Sequence, residues 1–184
     1  MKIYLASNSP RRAELLKQIG VQFTVLQTEI EEKKQEGETA EAYVQRLALQ
    51  KAQAGLQKNA KKRPILGADT IVVIDQKILE KPIDQDHGKE MLTLLSGRTH
   101  QVFTAIALVD SHAEKIELVK TDVTFKTLSE QEIADYWLTG EPLDKAAGYG
   151  IQGIAGKFVT HIAGSYSAVV GLPLYETDML IKNF

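Results

Sequence analysis

Apolar and polar positions recur along the chain with two different periods, and this pattern divides it into short strands and helices. Apolar runs with β-branched side chains predict strands, and apolar positions three and four residues apart predict amphipathic helices. The predicted strands are 2–6, 22–26, 65–74, 77–80, 101–109 and 116–125. The predicted helices begin at Ser9, Thr39, Asp84, Ser129 and Pro173, and the first four end near Gly20, Gln57, Leu95 and Trp137. Helices interleaved with hairpins favour an α/β protein with a mixed sheet.

The strands 65–74 and 77–80 are predicted to form a hairpin around Asp75-Gln76. With a two-residue turn at that point, Ile74 faces Lys77, and the same register extended along the strands puts Lys81 opposite Thr70. Lys81 would then lie within cross-strand distance of Asp69. A different turn would shift this pairing by a residue or two.

Glycine is concentrated near the C-terminal end of the chain. Between residues 148 and 171 the sequence contains six of its 13 glycines, which predicts repeated turns and close approach of the backbone to something else. Gln152 lies inside this segment. Because an amide offers both a donor and an acceptor, Gln152 is suited to reading the edge of a nucleotide base.

Two arginines lie where helix physics disfavours them. Arg12 shares the apolar stripe of its helix with Leu15, Leu16 and Ile19. Arg11 and Arg12 also lie in the first turn, where the helix dipole disfavours each cation by about 0.3–1 kcal/mol. The pair is either a surface pair with carboxylate partners or part of an anion site at the helix N-terminus.

Two further charges interrupt apolar surfaces. Lys51 lies in the middle of the apolar stripe of the second helix, whereas Arg46 projects to the opposite face and is predicted to be solvated. Asp69 lies inside the apolar strand 65–74, although aspartate is depleted in strands and costly to bury. Asp69 is either a structural residue held by backbone donors or a functional carboxylate. The clustering of perturbed carboxylates at active sites favours the second.

A hard divalent cation is the metal that these residue types favour. Glu31 and Glu32 follow the second strand, and either of them with Asp69 would supply the one or two carboxylates that Mg²⁺ takes beside substrate phosphates. The alternative is that the glutamate pair is simply solvated. The four histidines show no metal-ligand spacing, and the sequence contains neither of the common glycine-rich phosphate loops.

Composition narrows the function classes. With 184 residues, 43% hydrophobic and 25% charged, the chain has the length and usage of one globular domain, 1–184. Cysteine is absent, which excludes thiolate catalysis and cysteine-bound zinc and agrees with a reducing compartment. No apolar run is long enough to span a bilayer, and the N-terminus lacks the pattern of a signal peptide. A net charge of −2 gives no general attraction to nucleic acid.

The order and spacing of several short motifs resemble the Maf-like nucleoside triphosphate pyrophosphatases over nearly the whole chain. Each motif is weak by itself, and only their combination makes the resemblance strong. They are Ala6-Ser7-Asn8-Ser9-Pro10-Arg11-Arg12, Arg46-Leu47-Ala48 with Lys51-Ala52, Gly67-Ala68-Asp69-Thr70, Glu80-Lys81-Pro82, Ser96-Gly97 with His100, Tyr149-Gly150-Ile151-Gln152-Gly153, and Gly164-Ser165-Tyr166 with Val170-Gly171-Leu172-Pro173.

The resemblance implies a fold and an activity. The fold would be an ITPase/Maf-like α/β domain, with a twisted mixed sheet, flanking helices, and an elongated two-lobed shape with a central cleft. The activity would be hydrolysis between the α and β phosphates of dTTP and UTP, and of some modified pyrimidine nucleotides, to a monophosphate and pyrophosphate. The resemblance also implies Mg²⁺ or Mn²⁺, a cytoplasmic location and a homodimer, with no nucleic-acid or membrane partner.

The resemblance implies residue roles as well. Asp69 would be the catalytic base or water-orienting carboxylate, and Glu32 with Asp69 would hold the metal. Arg12, Thr70 and Gln152 would set the pyrimidine specificity. The phosphate-binding residues would be Ser7, Arg11, Arg12, Lys51 and Lys81. Asn8 departs from many relatives, which have a small residue there, and leaves the neighbouring motif intact.

Two rival functions belong to other classes. A non-catalytic nucleotide sensor that regulates cell division would use the same cations but would need no base at Asp69. Nucleic-acid binding through the basic stretch 58–63 is disfavoured by the net charge and by the lack of a basic stripe with interleaved aromatics.

Overall fold

The computed structural model describes residues 1–58 and 63–184, so most of the basic stretch 58–63 lies outside the described residues. The strands are β1 Lys2–Ala6, β2 Gln22–Leu26, β3 Ile65–Ile74, β4 Lys77–Leu79, β5 Thr99–Val109, β6 Glu114–Phe125 and β7 Val159–Ala163. The α-helices are α1 Pro10–Gln18, α2 Ala40–Lys58, α3 Gln85–Leu95, α4 Glu130–Leu138, α5 Tyr166–Val170 and α6 Leu174–Lys182. Among these helices none is long and apolar enough to cross a membrane.

The strands form one mixed sheet, as the sequence pattern predicts. Its order is β2-β1-β3-β5-β6-β7, with β4 paired to β3. The β1 strand pairs in parallel with both β2 and β3, whereas the β3–β4 and β6–β7 pairs are antiparallel. Parallel neighbours require crossover connections, and α1 and α2 provide them, which confirms the α/β class with flanking helices.

Most of the predicted elements are found within one or two residues of their predicted ends. The local signals act as expected: Thr39 caps α2 through the Ala42 N–H, and Ser129 forms the capping box of α4 with Glu132. Two elements, β7 and α5, were not predicted. Both lie in the glycine-rich segment, where short runs between turns carry little periodic signal.

The chain divides into two compact units, and three strands contribute residues to both. The first unit comprises residues 1–70, 104–119 and 171–184. Its core includes Ile3 and Leu5 of β1, Leu16 of α1 and Leu47 of α2, each at most 2% exposed. This arrangement buries the strand that carries Asp69 beneath the apolar stripe of α2.

The second unit comprises residues 71–103 and 120–170. Phe125, Tyr136 and Phe158 lie at its centre in edge-to-face contacts with neighbouring rings. His100 is buried in the same core, with its Nε2 2.7 Å from the Tyr149 hydroxyl. Burial lowers the pKa of His100 to about 4, so its ring is neutral at physiological pH.

The predicted hairpin is correct at its turn and wrong at its far end. Ile74 faces Lys77, as a two-residue turn at Asp75-Gln76 requires. The pairing stops at Val72 and Leu79, so no strand ladder carries the register on to Lys81. The Glu80 carbonyl instead accepts a hydrogen bond from the Ala147 N–H, and Pro82 has no N–H to donate to a ladder.

Candidate active site

The turn between β1 and α1 gathers polar groups at the helix N-terminus. Ser7, which is only 6% exposed, accepts a hydrogen bond from the Ser9 N–H at 3.2 Å. Ser9 occupies the N-cap position, as predicted, but its side chain does not cap the helix among the described contacts. The first backbone N–H groups of α1 are therefore available to donate hydrogen bonds to an anion at this end of the helix.

Arg12 is held in place by three oxygen atoms from three different segments of the chain. Its Nε donates to the Gly171 carbonyl at 2.8 Å, its Nη1 to the Ser7 hydroxyl at 3.3 Å and its Nη2 to the Thr70 hydroxyl at 3.2 Å. All three partners are uncharged. The surface-pair alternative, which needs carboxylate partners, therefore does not describe Arg12, which forms no salt bridge with any residue of 1–58 or 63–184.

Asp69, Lys51 and Glu32 form a connected group of charges. The Lys51 Nζ lies 2.6 Å from Asp69 Oδ1 and 2.7 Å from Glu32 Oε1. The side chains of Asp69 and Lys51 are 9% and 13% exposed, whereas that of Glu32 is 47% exposed. One ammonium thus joins a buried carboxylate on β3 to a half-exposed carboxylate in the loop after β2.

Opposing effects set the pKa of Asp69. Burial raises this pKa because the charged carboxylate loses its hydration, while the nearby positive charges of Lys51 and Arg12 oppose the rise. Burial also lowers the pKa of Arg12, although arginine remains protonated. A carboxyl group with a raised pKa, beside two cations, has the properties of a general base.

Gly67 explains how Lys51 reaches Asp69. Gly67 and Asp69 are two residues apart on β3 and therefore project to the same face of the sheet. A Cβ atom at Gly67 would overlap the Ala48 carbonyl oxygen and lie 2.7 Å from the Ala52 nitrogen. The missing side chain thus allows the backbone of α2 to lie directly on the strand, with Lys51 over Asp69.

Thr70 acts in this structure as a support for Arg12. Its hydroxyl accepts the bond from Arg12 Nη2 and lies 3.0 Å from the Thr104 hydroxyl. Sequence reasoning missed Thr104. The signal for it was present, because Thr104 is a polar residue inside the apolar run of β5, just as Asp69 is inside that of β3.

The predicted site residues divide between the two units. Six in the first unit form two bonded groups: Arg12 with Ser7 and Thr70, and Lys51 with Asp69 and Glu32. Arg11 lies in the first turn of α1 beside Arg12. Its positive charge is close enough to lower the pKa of Arg12. The second unit carries Lys81 and Gln152, and both are exposed.

The loop 29–38 carries Glu31 and Glu32, the two candidate metal ligands. Of these two glutamates, only Glu32 pairs with Lys51 among the described contacts, whereas Glu31 lines a groove of about 510 Å³ between this loop and α2.

The prediction that Arg46 is solvated is wrong. Arg46 forms two hydrogen bonds with the Glu38 carboxylate and one with the Lys33 carbonyl, so it holds the loop against α2.

The carboxylates present fit a hard divalent cation that is completed by substrate oxygens. Within residues 1–58 and 63–184 no three His, Cys, Asp or Glu side chains form a metal cage. Asp69 and Glu32, however, both lie within 2.7 Å of one positive charge, the Lys51 ammonium, as two ligands of one cation would lie close to it. Two carboxylates with substrate phosphates are the usual ligand set of Mg²⁺.

One family model and several curated relatives match nearly the whole chain. The family model described as Maf-like protein matches residues 2–184. A dTTP/UTP pyrophosphatase of Photobacterium profundum is 57% identical over 190 residues, covering 100% of this chain and 97% of that protein. A dTTP/UTP pyrophosphatase of Escherichia coli O157:H7 is 58% identical over 182 residues, covering 99% and 92%. The solved structure of the Staphylococcus aureus Ham1 protein matches 68% of this chain and 72% of that chain, with 16% identity and a TM-score of 0.48.

Proposed function

The chain belongs to the Maf-like protein family, and from this premise we propose that it is a nucleoside triphosphate pyrophosphatase that hydrolyses dTTP and UTP. The products are the nucleoside monophosphate and pyrophosphate. Relatives that are 57% and 58% identical over nearly the full chain are named dTTP/UTP pyrophosphatases, which supports this activity.

The observation that carries the proposal is the buried Asp69 carboxylate among cations. Asp69 is 6% exposed, lies in an otherwise apolar strand and contacts Lys51 at 2.6 Å. A buried charge destabilises a fold unless it is paired, and an apolar residue would fill the same strand position at no such cost. A carboxylate with a raised pKa at such a buried position is typical of a proton acceptor in catalysis.

The proposed reaction is a displacement at the α-phosphorus. Asp69 accepts a proton from a water molecule, and the oxygen of that water forms a bond to the α-phosphorus. The bond from the α-phosphorus to the bridging oxygen breaks, and this oxygen leaves with the electron pair as part of pyrophosphate. Arg11, Arg12 and the N–H groups of α1 bind phosphate oxygens and stabilise the negative charge that develops on the leaving group.

The two carboxylates are assigned to a metal ion and the two lysines to the phosphates. Asp69 and Glu32 would hold a Mg²⁺ or Mn²⁺ ion, which when bound neutralises phosphate charge and acts as a Lewis acid. A divalent cation and the Lys51 ammonium are alternative counter-charges for the same two carboxylates. With Asp69 and Glu32 holding the metal, Lys51 would contact phosphate oxygens. We assign Lys81, which is exposed in the second unit, to the phosphates as well.

Base recognition is assigned to Gln152, with Arg12 and Thr70 in support. Gln152 presents an exposed amide, which matches the adjacent donor and acceptor on the edge of thymine or uracil. The Thr70 hydroxyl is bonded to Arg12 and Thr104, so its part in specificity is to orient Arg12.

A panel of nucleoside triphosphates tests the proposal directly. Purified protein is incubated with natural and modified pyrimidine and purine triphosphates, and the release of pyrophosphate is measured. Release from dTTP and UTP in preference to dATP and GTP is expected. Tight binding of dTTP without any release would instead identify a nucleotide sensor and would overturn the proposed reaction.

Chelation of divalent metal is expected to abolish pyrophosphate release from dTTP, and added Mg²⁺ or Mn²⁺ to restore it. Glu32→Gln is expected to raise the metal concentration for half-maximal activity about tenfold, since one carboxylate ligand is lost. Glu31→Gln is the matched control, because the neighbouring Glu31 does not share Lys51 with Asp69 in the described contacts. Equal metal requirements for the two variants would remove Glu32 from the metal site.

Arg12→Lys is expected to lower kcat/KM for dTTP about 10- to 100-fold. The three donors of a lysine share one nitrogen and cannot replace the separate Nε, Nη1 and Nη2 contacts, and each hydrogen bond made by a charged group contributes roughly 1.5–3 kcal/mol. Arg46→Lys is the matched control, because Arg46 also makes several hydrogen bonds but takes no part in the proposed chemistry. An equal loss in both variants would show that general destabilisation causes the effect.

A further inference from the structure

The predicted base-reading residue lies at the tip of a tight turn. The Gly153 N–H donates to the Gly150 carbonyl at 3.0 Å, which closes a turn with Ile151 and Gln152 at its centre. Gln152 is exposed, and the residues on each side of the turn are glycines. Glycine loses more backbone entropy on ordering than any other residue, so this turn depends on contacts from outside itself to keep one conformation.

Glu141 supplies such contacts from a different part of the second unit. Its Oε2 accepts a hydrogen bond from the Ile154 N–H at 2.8 Å, and its Oε1 accepts from the Ala155 N–H at 3.3 Å and from the Tyr136 hydroxyl at 2.8 Å. These two backbone groups begin the 3₁₀ helix Ile154–Phe158, which directly follows the turn. Although burial raises the pKa of Glu141, these hydrogen bonds outweigh burial and lower it below its ordinary value, so the carboxylate is ionised.

The surroundings of Glu141 are shaped around the carboxylate. A Cβ atom at Gly153 would lie within 2.5 Å of Glu141 Oε1, so only glycine leaves room for the carboxylate beside the turn. Tyr136 is 1% exposed, which prevents its hydroxyl from moving away. Lys145 Nζ donates to the Glu141 carbonyl at 3.0 Å and fixes the backbone of the same residue.

We propose that Glu141 is a positioning residue for base recognition, which holds the turn at 150–153 and so aims the Gln152 amide at the pyrimidine. This inference rests on the proposed function, because it takes Gln152 as the residue that contacts the base. Glu141 itself need not touch the nucleotide. Its effect is therefore confined to ligands that carry a base, and a purely structural role would not produce that selectivity.

The test compares the binding of dTTP with that of inorganic tripolyphosphate, which has the phosphates but no base. Both are measured by calorimetry with chelator present, so that no turnover is needed. Glu141→Gln leaves one accepting oxygen for two backbone N–H groups and is expected to weaken dTTP binding about tenfold, while tripolyphosphate binding changes less than twofold. Tyr136→Phe is the control, since it removes one donor and retains both backbone bonds, and dTTP affinity within twofold of wild type is expected.

Gly153→Ala provides a second route to the same displacement, because its methyl group would push the carboxylate away. Gly153→Ala is expected to weaken the binding of dTTP more than that of tripolyphosphate, as Glu141→Gln does. This variant keeps the proposal testable if Glu141→Gln does not fold. A double-mutant cycle with Gln152→Ala is the stricter test: once Gln152 is removed, Glu141→Gln is expected to weaken dTTP binding no further. Additive losses, equal losses for both ligands, or no loss would overturn the assignment.

This experiment separates the inference from the proposed function. If the wild-type protein binds dTTP more tightly than tripolyphosphate but releases no pyrophosphate, the proposed hydrolysis fails and the role of Glu141 is still decided by the binding ratio. If the wild-type protein binds the two ligands equally, it does not read the base, and the role of Glu141 is overturned.

Discussion

Replacement of Asp69 by Asn is expected to lower kcat for dTTP by about 10²- to 10⁴-fold, the usual contribution of a general base. The amide has the shape of the carboxylate, and its oxygen can still accept the hydrogen bond from Lys51. It cannot, however, take a proton from water. The loss is therefore expected in kcat, measured as pyrophosphate release at saturating nucleotide and metal, while circular dichroism and thermal unfolding show a folded protein.

The pH dependence gives an independent check on Asp69. Because burial raises its pKa, Asp69 in the metal-free protein is expected to titrate, as followed by NMR with chelator present, at a pH above the ordinary aspartate pKa near 4. The same shift affects stability: a raised pKa in the folded state means that Asp69 contributes stability at low pH, which is lost as pH rises through that raised value. Asp69→Asn is expected to remove both effects.

Asp75→Asn is the matched control for this substitution. Asp75 lies in the hairpin turn, where its exposed carboxylate pairs with Arg98, and asparagine tolerates its positive φ of 49°. Activity within about twofold of wild type is expected, since exposed ion pairs contribute roughly 0–1 kcal/mol. A wild-type rate for Asp69→Asn at saturating metal would remove Asp69 from the reaction.

Gly67→Ala is expected to destabilise the protein by roughly 3 kcal/mol, at the upper end of the cost of overpacking. The new methyl group would overlap the backbone of α2 at Ala48 and approach the Ala52 nitrogen, and backbone atoms cannot rotate out of its way. The helix must therefore shift as a unit and carry Lys51 away from Asp69. Denaturant unfolding measures the first effect, and kcat/KM for dTTP measures the second.

Gly37→Ala separates this steric effect from the general cost of replacing glycine. Gly37 has a φ of +74°, and a Cβ atom added there would meet no heavy atom within 4 Å. Alanine at this position therefore introduces only backbone strain of about 1–2 kcal/mol. No effect on turnover is expected. If Gly67→Ala costs no more than Gly37→Ala and retains full activity, the close approach of α2 does not position Lys51.

The elements that were predicted correctly are those set by local signals. Thr39, Asp84 and Ser129 cap the helices that they were predicted to open, because an N-cap hydrogen bond spans only a few residues. The turn at Asp75-Gln76 is correct for the same reason. The end of that hairpin was wrong, because the Ala147 N–H, 67 residues further along the chain, donates to the Glu80 carbonyl, and local sequence carries no signal for such a partner.

The candidate site also combines features that local sequence predicts with features that depend on distant contacts. Charged residues on apolar faces predicted that Arg12, Lys51 and Asp69 have special environments, because burying an unpaired charge is too costly to occur without compensation. Their partners were not predictable from one sequence. The Gly171 carbonyl and Thr104 hydroxyl that support Arg12 and Thr70, and the choice of Glu32 over Glu31 for Lys51, depend on contacts between segments far apart in the chain.

The sequence by itself therefore determined the α/β class, most of the helix boundaries and the unusual positions of Arg12, Lys51 and Asp69, because hydrophobic periodicity and local capping act over a few residues. Only the tertiary structure decided what those charges face. Gly67 brings α2 close enough for Lys51 to join Asp69 to Glu32, and Glu141 holds the turn that carries Gln152. Both arrangements depend on close packing and on backbone hydrogen bonds between distant segments, which a periodic pattern does not encode.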